Sequence, residues 1–171
     1  VPDPMVNAFR RQRGLSLMEL CATLALIGLL ALLSVPLAQG WSDAHKLTLA
    51  RSQLARAYAQ TQAAALSNPQ AAAPDQAAAV LMSSAEGQLC VFAGAPASGT
   101  QGERCQGAAL WRAAAPRPVS LGTSCLQTPA AQCLALNNQG QPLAAQAAGV
   151  ACGTRPAYCI RGAQQELRGD L

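Results

Sequence analysis

Three patterns of apolar and polar positions follow one another along the chain, and each predicts a different element. Residues 1–14, VPDPMVNAFRRQRG, are mostly polar and carry Arg10, Arg11 and Arg13. Residues 15–38, LSLMELCATLALIGLLALLSVPLA, are apolar all round, with Glu19 as the single charge. At ~1.5 Å per residue such a helix reaches ~36 Å, enough to cross a ~30 Å hydrocarbon layer. Arginines before the run and none directly after it place the N-terminus in the cytoplasm and the rest of the chain outside, or in a periplasm.

Beyond the apolar run the period becomes 3.6. Leu47, Leu54, Tyr58 and Ala65 share a stripe flanked by Ala50, Ala57 and Ala64, which predicts an amphipathic helix with one buried face. Asn68-Pro69 ends it, because the residue before proline is pushed out of the α region. The expectation is one helix over about 15–67, its first half in the bilayer. After a linker at 70–78, strands are predicted at 80–82 and 89–92 around Ser84-Ala85-Glu86-Gly87. Further strands are predicted at 109–112, 118–121, 133–136, 142–144 and 158–161, with Asn137-Asn138-Gln139-Gly140 as a second hairpin turn. A helix followed by short strands reads as an α+β fold: a long N-terminal helix, transmembrane in its first half, packed on a small antiparallel β domain.

Composition sharpens this division. The chain is 51% hydrophobic, but 38 of its 171 residues are alanine. Residues 39–171 hold only 19 Leu, Ile or Val and five aromatics, a thin core for their number. Seven cysteines address the deficit. Cys21 lies in the apolar run and acts as a small apolar residue. The other six form an even set on the oxidising side, where disulfides persist. Sequence order suggests local bridges Cys90–Cys105, Cys125–Cys133 and Cys152–Cys159, among 15 formal pairings. The chain has no CxxC, and its lone histidine, His45, sits just past the apolar run. Neither a zinc site nor a thiol redox centre is expected.

A secretory signal peptide explains the apolar run poorly, since its core spans 7–15 residues before a small-x-small cleavage site. A plain signal anchor accounts for neither Gly14 nor Glu19. An acid within a membrane helix is costly and usually functional, although near the edge Glu19 could also snorkel to the interface. At these residues a resemblance emerges. RQRG-LSLMEL-CATLALIGLLALLSVP resembles the N-terminus of type IV prepilins and type II secretion pseudopilins. That family has a basic leader ending in glycine, a glutamate at the fifth mature position and a proline at the twenty-second. Counted from Leu15, Glu19 and Pro36 occupy those places; Leu15 itself departs from the usual phenylalanine. Met5 is a candidate natural start, giving the leader MVNAFRRQRG. The segment ARSQLARAYAQTQAAALSN, the strand Gly87-Gln88-Leu89-Cys90 and the later Trp111 are similar to the GspH/FimT/FimU group of minor subunits.

The resemblance implies a leader over 1–14, a filament-core helix half over 15–38, an amphipathic half over 39–68 and a disulfide-stabilised periplasmic β domain over 69–171. It implies cleavage by prepilin peptidase between Gly14 and Leu15 and N-methylation of Leu15. Glu19 would neutralise a neighbouring subunit's free amine, and Pro36 would kink the helix. The implied partners are the peptidase, other pilin or pseudopilin subunits and an inner-membrane assembly platform. The implied location is the inner membrane, single pass, with the C-terminal domain periplasmic, and then the pilus or pseudopilus. The implied role is a minor pilin or pseudopilin in the initiation or tip complex. Type IV pilus or type II secretion, and minor or major subunit, stay open.

Competing classes leave weaker traces. No nucleophile elbow, Walker loop, GxGxxG or HExxH occurs, and no enzyme activity or cofactor is expected. Nucleic-acid binding of the kind used in natural transformation has Arg155, Arg161 and Arg168 as candidate contacts. From residue 42 onward, however, nine basic residues face six acidic ones, and Glu166 and Asp170 interleave with the arginines. A lone signal-anchored periplasmic binding domain is the remaining alternative.

Overall fold

The computed structural model describes residues 16–97, 105–125, 128, 130–163 and 165–171; the side chains of 33–39 lie outside this description. Helix α1 runs Leu17–Ser67. Ser16 precedes it as a cap: its hydroxyl accepts the Met18 N–H at 3.3 Å, and its carbonyl accepts the Glu19 N–H at 3.0 Å. At the far end Asn68 adopts a left-handed conformation (φ 41°), and its N–H donates to the Ala64 carbonyl at 3.1 Å. Its side-chain oxygen accepts the Ala72 N–H at 2.7 Å. Asparagine tolerates this geometry, and Pro69 cannot continue the helix.

The chain divides into two compact units, one up to Gln39 and one over Gly40–Leu171, so α1 contributes to both. Its side chains are described in two pieces, 17–32 and 40–67. The expectation of a long N-terminal helix with a transmembrane first half is corrected here. Among the described residues no helix is long and apolar enough to cross a membrane. A helix that crosses the ~30 Å layer needs about 20 consecutive apolar residues, and the described helix side chains, over 17–32 and 40–67, hold no such run. Past Gln39 the helix carries Ser42, Asp43, His45 and Lys46.

Among the described residues of the second unit, ten short strands follow the helix. They are β1 (Ala79–Ser83), β2 (Gln88–Ala93), β3 (Trp111–Ala114), β4 (Val119–Leu121), β5 (Gln132–Leu136), β6 (Pro142–Leu143), β7 (Gln146–Ala147), β8 (Val150–Ala151), β9 (Ala157–Arg161) and β10 (Glu166–Asp170). A five-stranded sheet has the order β3-β2-β1-β5-β6, a three-stranded sheet β10-β9-β4, and β7-β8 form a small hairpin. The named pairings are antiparallel. The turn between β1 and β2 closes on Gly87, at φ 79°, a region that favours glycine.

Both faces of the larger sheet are buried. Leu81, Leu89, Val91, Leu134 and Leu136 face the helix and pack with Leu47, Ala50, Leu54, Ala57 and Ala65, joined by Val119, Leu121, Tyr158 and Ile160 of the smaller sheet. The alternate positions Val80, Met82, Cys90, Phe92, Cys133 and Ala135 face the other way and meet Cys105, Ala147, Ala148 and Cys152. This second core is small: beside Val80, Met82 and Phe92 it is filled by alanines and two disulfides. The buried Ser83 hydroxyl donates to the Val119 carbonyl at 2.6 Å and ties the two sheets together.

The bridges are Cys90–Cys105, Cys125–Cys159 and Cys133–Cys152, with Cα separations of 5.5, 5.0 and 4.5 Å. The expected Cys125–Cys133 and Cys152–Cys159 pairings are therefore wrong, and strand adjacency explains why. Cys133 lies on β5, whose neighbour Leu134 bridges Gly153, and the Gly153 N–H donates to the Cys133 carbonyl at 2.9 Å. That contact brings Cys152 against Cys133. Cys159 instead lies in the smaller sheet, opposite Ser120, within reach of the loop that carries Cys125.

Candidate functional site

The N-terminal piece of α1 is the most unusual surface of the chain. Leu17, Met18, Leu20, Leu24, Leu26, Ile27, Leu29 and Leu32 are between 51% and 81% exposed. Spaced at 100° per residue, these positions go all the way round the helix, so no side is buried. A contiguous apolar surface of this kind marks an interaction site rather than ordinary scattered exposure. Glu19 is the single acid in its first turn, where the helix dipole favours negative charge. With Ser16 at the cap, Ser16-Leu17-Met18-Glu19 matches the S-x-x-E capping signature. That signal was present in the sequence and places Glu19 in the first turn of the helix. Cys21 is exposed and reduced on the same piece.

The remaining N-terminal positions bear on the site through sequence alone. Gly14 and Leu15, the expected cleavage and methylation positions, lie outside the described residues, as do Arg10 and the rest of the leader. Pro36 falls within α1 at a position whose side chain is not described.

The three arginines considered for nucleic acid are not brought together as free cations. Glu166 on β10 accepts Arg168 at 2.7 Å through one oxygen and Arg161 at 3.0 Å through the other. The Arg168 hydrogen bond, then that from Arg161, holds the Glu166 carboxyl below the ordinary glutamate range. Arg155 is exposed in the segment before β9. One carboxylate thus already engages two of the three candidate phosphate contacts.

A second acid was not singled out by the sequence. Asp43 is buried near the start of the second helix piece and forms an ion pair with Arg117. Its other oxygen accepts the Ala163 N–H at 2.8 Å, so one carboxylate binds helix, pre-β4 loop and β9–β10 turn. Gly162 fits beside it because a Cβ there would come within 2.5 Å of the Asp43 oxygen. Spacing along the chain gives no hint of this, since the partners lie 74 and 120 residues away.

Groups that could serve catalysis or hold a metal are sparse among the described residues. Among the described residues, Cys125, Cys159 and Glu166 are the one group of potential metal ligands drawn together. The two sulfurs are bonded to each other, so no thiolate is offered. A recess lined by Gln70, Asp75, Gln76 and Leu143 combines one carboxylate with amides and holds no nucleophile–base pair. No family model, curated protein or solved structure matches this chain.

Proposed function

We propose that this chain is a minor pilin or pseudopilin, a subunit taking part in assembly of a type IV pilus or type II secretion pseudopilus. The observation that carries the proposal is the helix piece from Leu17 to Leu32, apolar on every side and exposed, with Glu19 in its first turn. Such a surface is stable in water only when other molecules cover it. Head-to-tail packing of identical or related helices covers every side and produces an open filament. In that filament Glu19 of one subunit meets the amino terminus of another, and each charge removes the desolvation penalty of its partner.

Three disulfides in the following unit support a location on the oxidising side of the inner membrane. The basic leader ending in Gly14 supports processing by prepilin peptidase, with the new terminus at Leu15 methylated. The chain is then a substrate of that enzyme and a partner of other pilin or pseudopilin subunits and their assembly platform.

Mass spectrometry of the chain from peptidase-competent cells tests the reading directly. The expected species begins at Leu15 and carries one methyl group; a mature chain retaining Arg10 to Gly14 ends the proposal. Glu19→Gln and Glu19→Ala separate the two roles of this residue. If it acts between subunits, both abolish incorporation into filaments while the isolated helix keeps its circular dichroism. Loss of piliation or loss of secretion on deletion of the gene distinguishes the two machines.

A further inference from the structure

β10, one of the strands that sequence patterning did not anticipate, has an open outer edge among the described residues. It pairs with β9 alone in the described sheets, with Glu166 opposite Arg161 and Asp170 opposite Ala157. The Gly162 N–H donates to the Gln165 carbonyl at 2.7 Å and the Leu171 N–H to the Pro156 carbonyl at 2.6 Å. Antiparallel bonding alternates, so between these two bonds Leu167 and Gly169 turn their backbone groups towards β9. Glu166, Arg168 and Asp170 turn theirs outward, and all three side chains are exposed.

Other sheet edges are closed or uninformative. At β4 the Val119 carbonyl is taken by Ser83 and the Leu121 N–H by the Gln132 side chain at 2.6 Å, and all three residues are buried. β6 is two residues long and includes Pro142, which has no N–H to give. β3 carries one charge, Arg112, which in an antiparallel self-pairing meets either its own copy or an alanine.

We propose that β10 is an isologous pairing edge for a second copy of this chain. Centred on Leu167, antiparallel pairing sets Glu166 of each copy opposite Arg168 of the other, giving two symmetry-related ion pairs. In the same register the outward N–H and C=O groups of 166 and 168 face each other and can bond reciprocally. A slip of two residues sets Arg168 against Arg168 and Glu166 against Asp170, so like charges reject it. Charges that keep unrelated strands off an edge here favour a second copy in a register that sets Arg168 against an acid, Glu166 when centred on Leu167 and Asp170 when centred on Gly169. Arg168 is 60% exposed, and its guanidinium can pass from its own Glu166 to the other copy's while Arg161 stays in place. The contact joins two three-stranded sheets into one of six. Pairing along one short strand buries well under the ~1,200 Å² of stable interfaces, so the dimer exchanges rapidly. It is independent of the role assigned to the N-terminal helix.

Sedimentation of the full chain in detergent micelles, which cover the apolar helix, tests the pairing at protein concentrations up to about 1 mM. The wild type is expected to self-associate, and Glu166→Arg and Arg168→Glu each to lose at least ~10-fold in association constant, as facing like charges require. Mixed together, the two variants present opposite charges at both positions and should form a heterodimer within about threefold of the wild-type constant. Thermal unfolding of each variant checks that the fold survives. A monomeric wild type at the top concentration overturns the proposal. So do single variants that still self-associate, or a mixture that fails to pair while the wild type does.

Discussion

The two pieces of α1 share one secondary structure and have opposite surroundings. From Leu17 to Leu32 large apolar side chains stand exposed on every side, whereas from Gly40 to Ser67 Leu47, Ala50, Leu54, Ala57 and Ala65 are buried on one face. The difference teaches that backbone helicity says little about where a helix belongs. A one-sided stripe can be satisfied within the chain by a single sheet face, but a surface apolar all round cannot. The second piece packs in the core of its own β domain, and the first leaves its apolar side chains exposed.

Reduction of the three disulfides should separate the pieces most widely. With bridges closing separations of 15, 34 and 19 residues, each worth about 3–4 kcal/mol in the chain-entropy estimate, a thinly cored domain is expected to unfold. Near-ultraviolet circular dichroism should be lost on adding dithiothreitol, while amides of 17–32 in micelles keep their exchange protection.

Next in size is a matched pair of truncations. Leu54→Ala empties a fully buried position and should cost about 2–5 kcal/mol. Leu26→Ala, 61% exposed, should leave domain stability within ~0.5 kcal/mol and weaken only assembly. Urea denaturation followed through the tryptophans measures both. Equal losses would collapse the distinction.

The acids near the start of each piece sharpen it further. Asp43→Asn breaks a pair whose partner, Arg117, is 28% exposed, so a full buried-charge penalty is discounted to about 1–2 kcal/mol. Glu19→Gln should change domain stability by no more than ~0.5 kcal/mol. Chemical denaturation again reads the contrast.

The smallest effect concerns pH. The Glu166 carboxyl is held below its ordinary 4.5 by Arg168 and Arg161, so its folded pKa is depressed. Its contribution is therefore fully present above the ordinary glutamate range and is lost as pH falls through the lowered value. Exposure to solvent keeps it small. Glu166→Gln should slightly flatten the acid limb of a stability–pH profile, and a variant with an unchanged limb would show that the ion pairs contribute nothing.

Much of the domain's local structure was legible in the chain. Leu47, Leu54 and Ala65 at helical spacing are buried, Asn68-Pro69 ends the helix, and Gly87 turns a hairpin. Each of these rests on interactions within a few residues. Strand β10 was missed because ELRGD alternates charges with one leucine and one glycine, a pattern without the β-branched or aromatic residues that signal a strand. The hairpin β7–β8 was missed because two-residue strands carry no period. The expected membrane-spanning first half is not found, since among the described residues no helix is long and apolar enough to cross a membrane. At the candidate assembly site, Glu19 stood out as the lone acid in an apolar run, while Asp43 did not. A charge is conspicuous when its sequence neighbours are apolar, and inconspicuous when its partners are distant.

By itself the sequence determined local matters: which residues share a helical face, where turns fall, and that six cysteines must staple a core poor in Leu, Ile and Val. Tertiary structure alone decided that Cys125 joins Cys159 and Cys133 joins Cys152, that Asp43 clasps Arg117 and the β9–β10 turn, and that β10 ends with an open edge. The physical reason is range. Helix period and turn chemistry act within a few residues, but a disulfide, an ion pair or a strand edge depends on which distant segments the fold brings side by side.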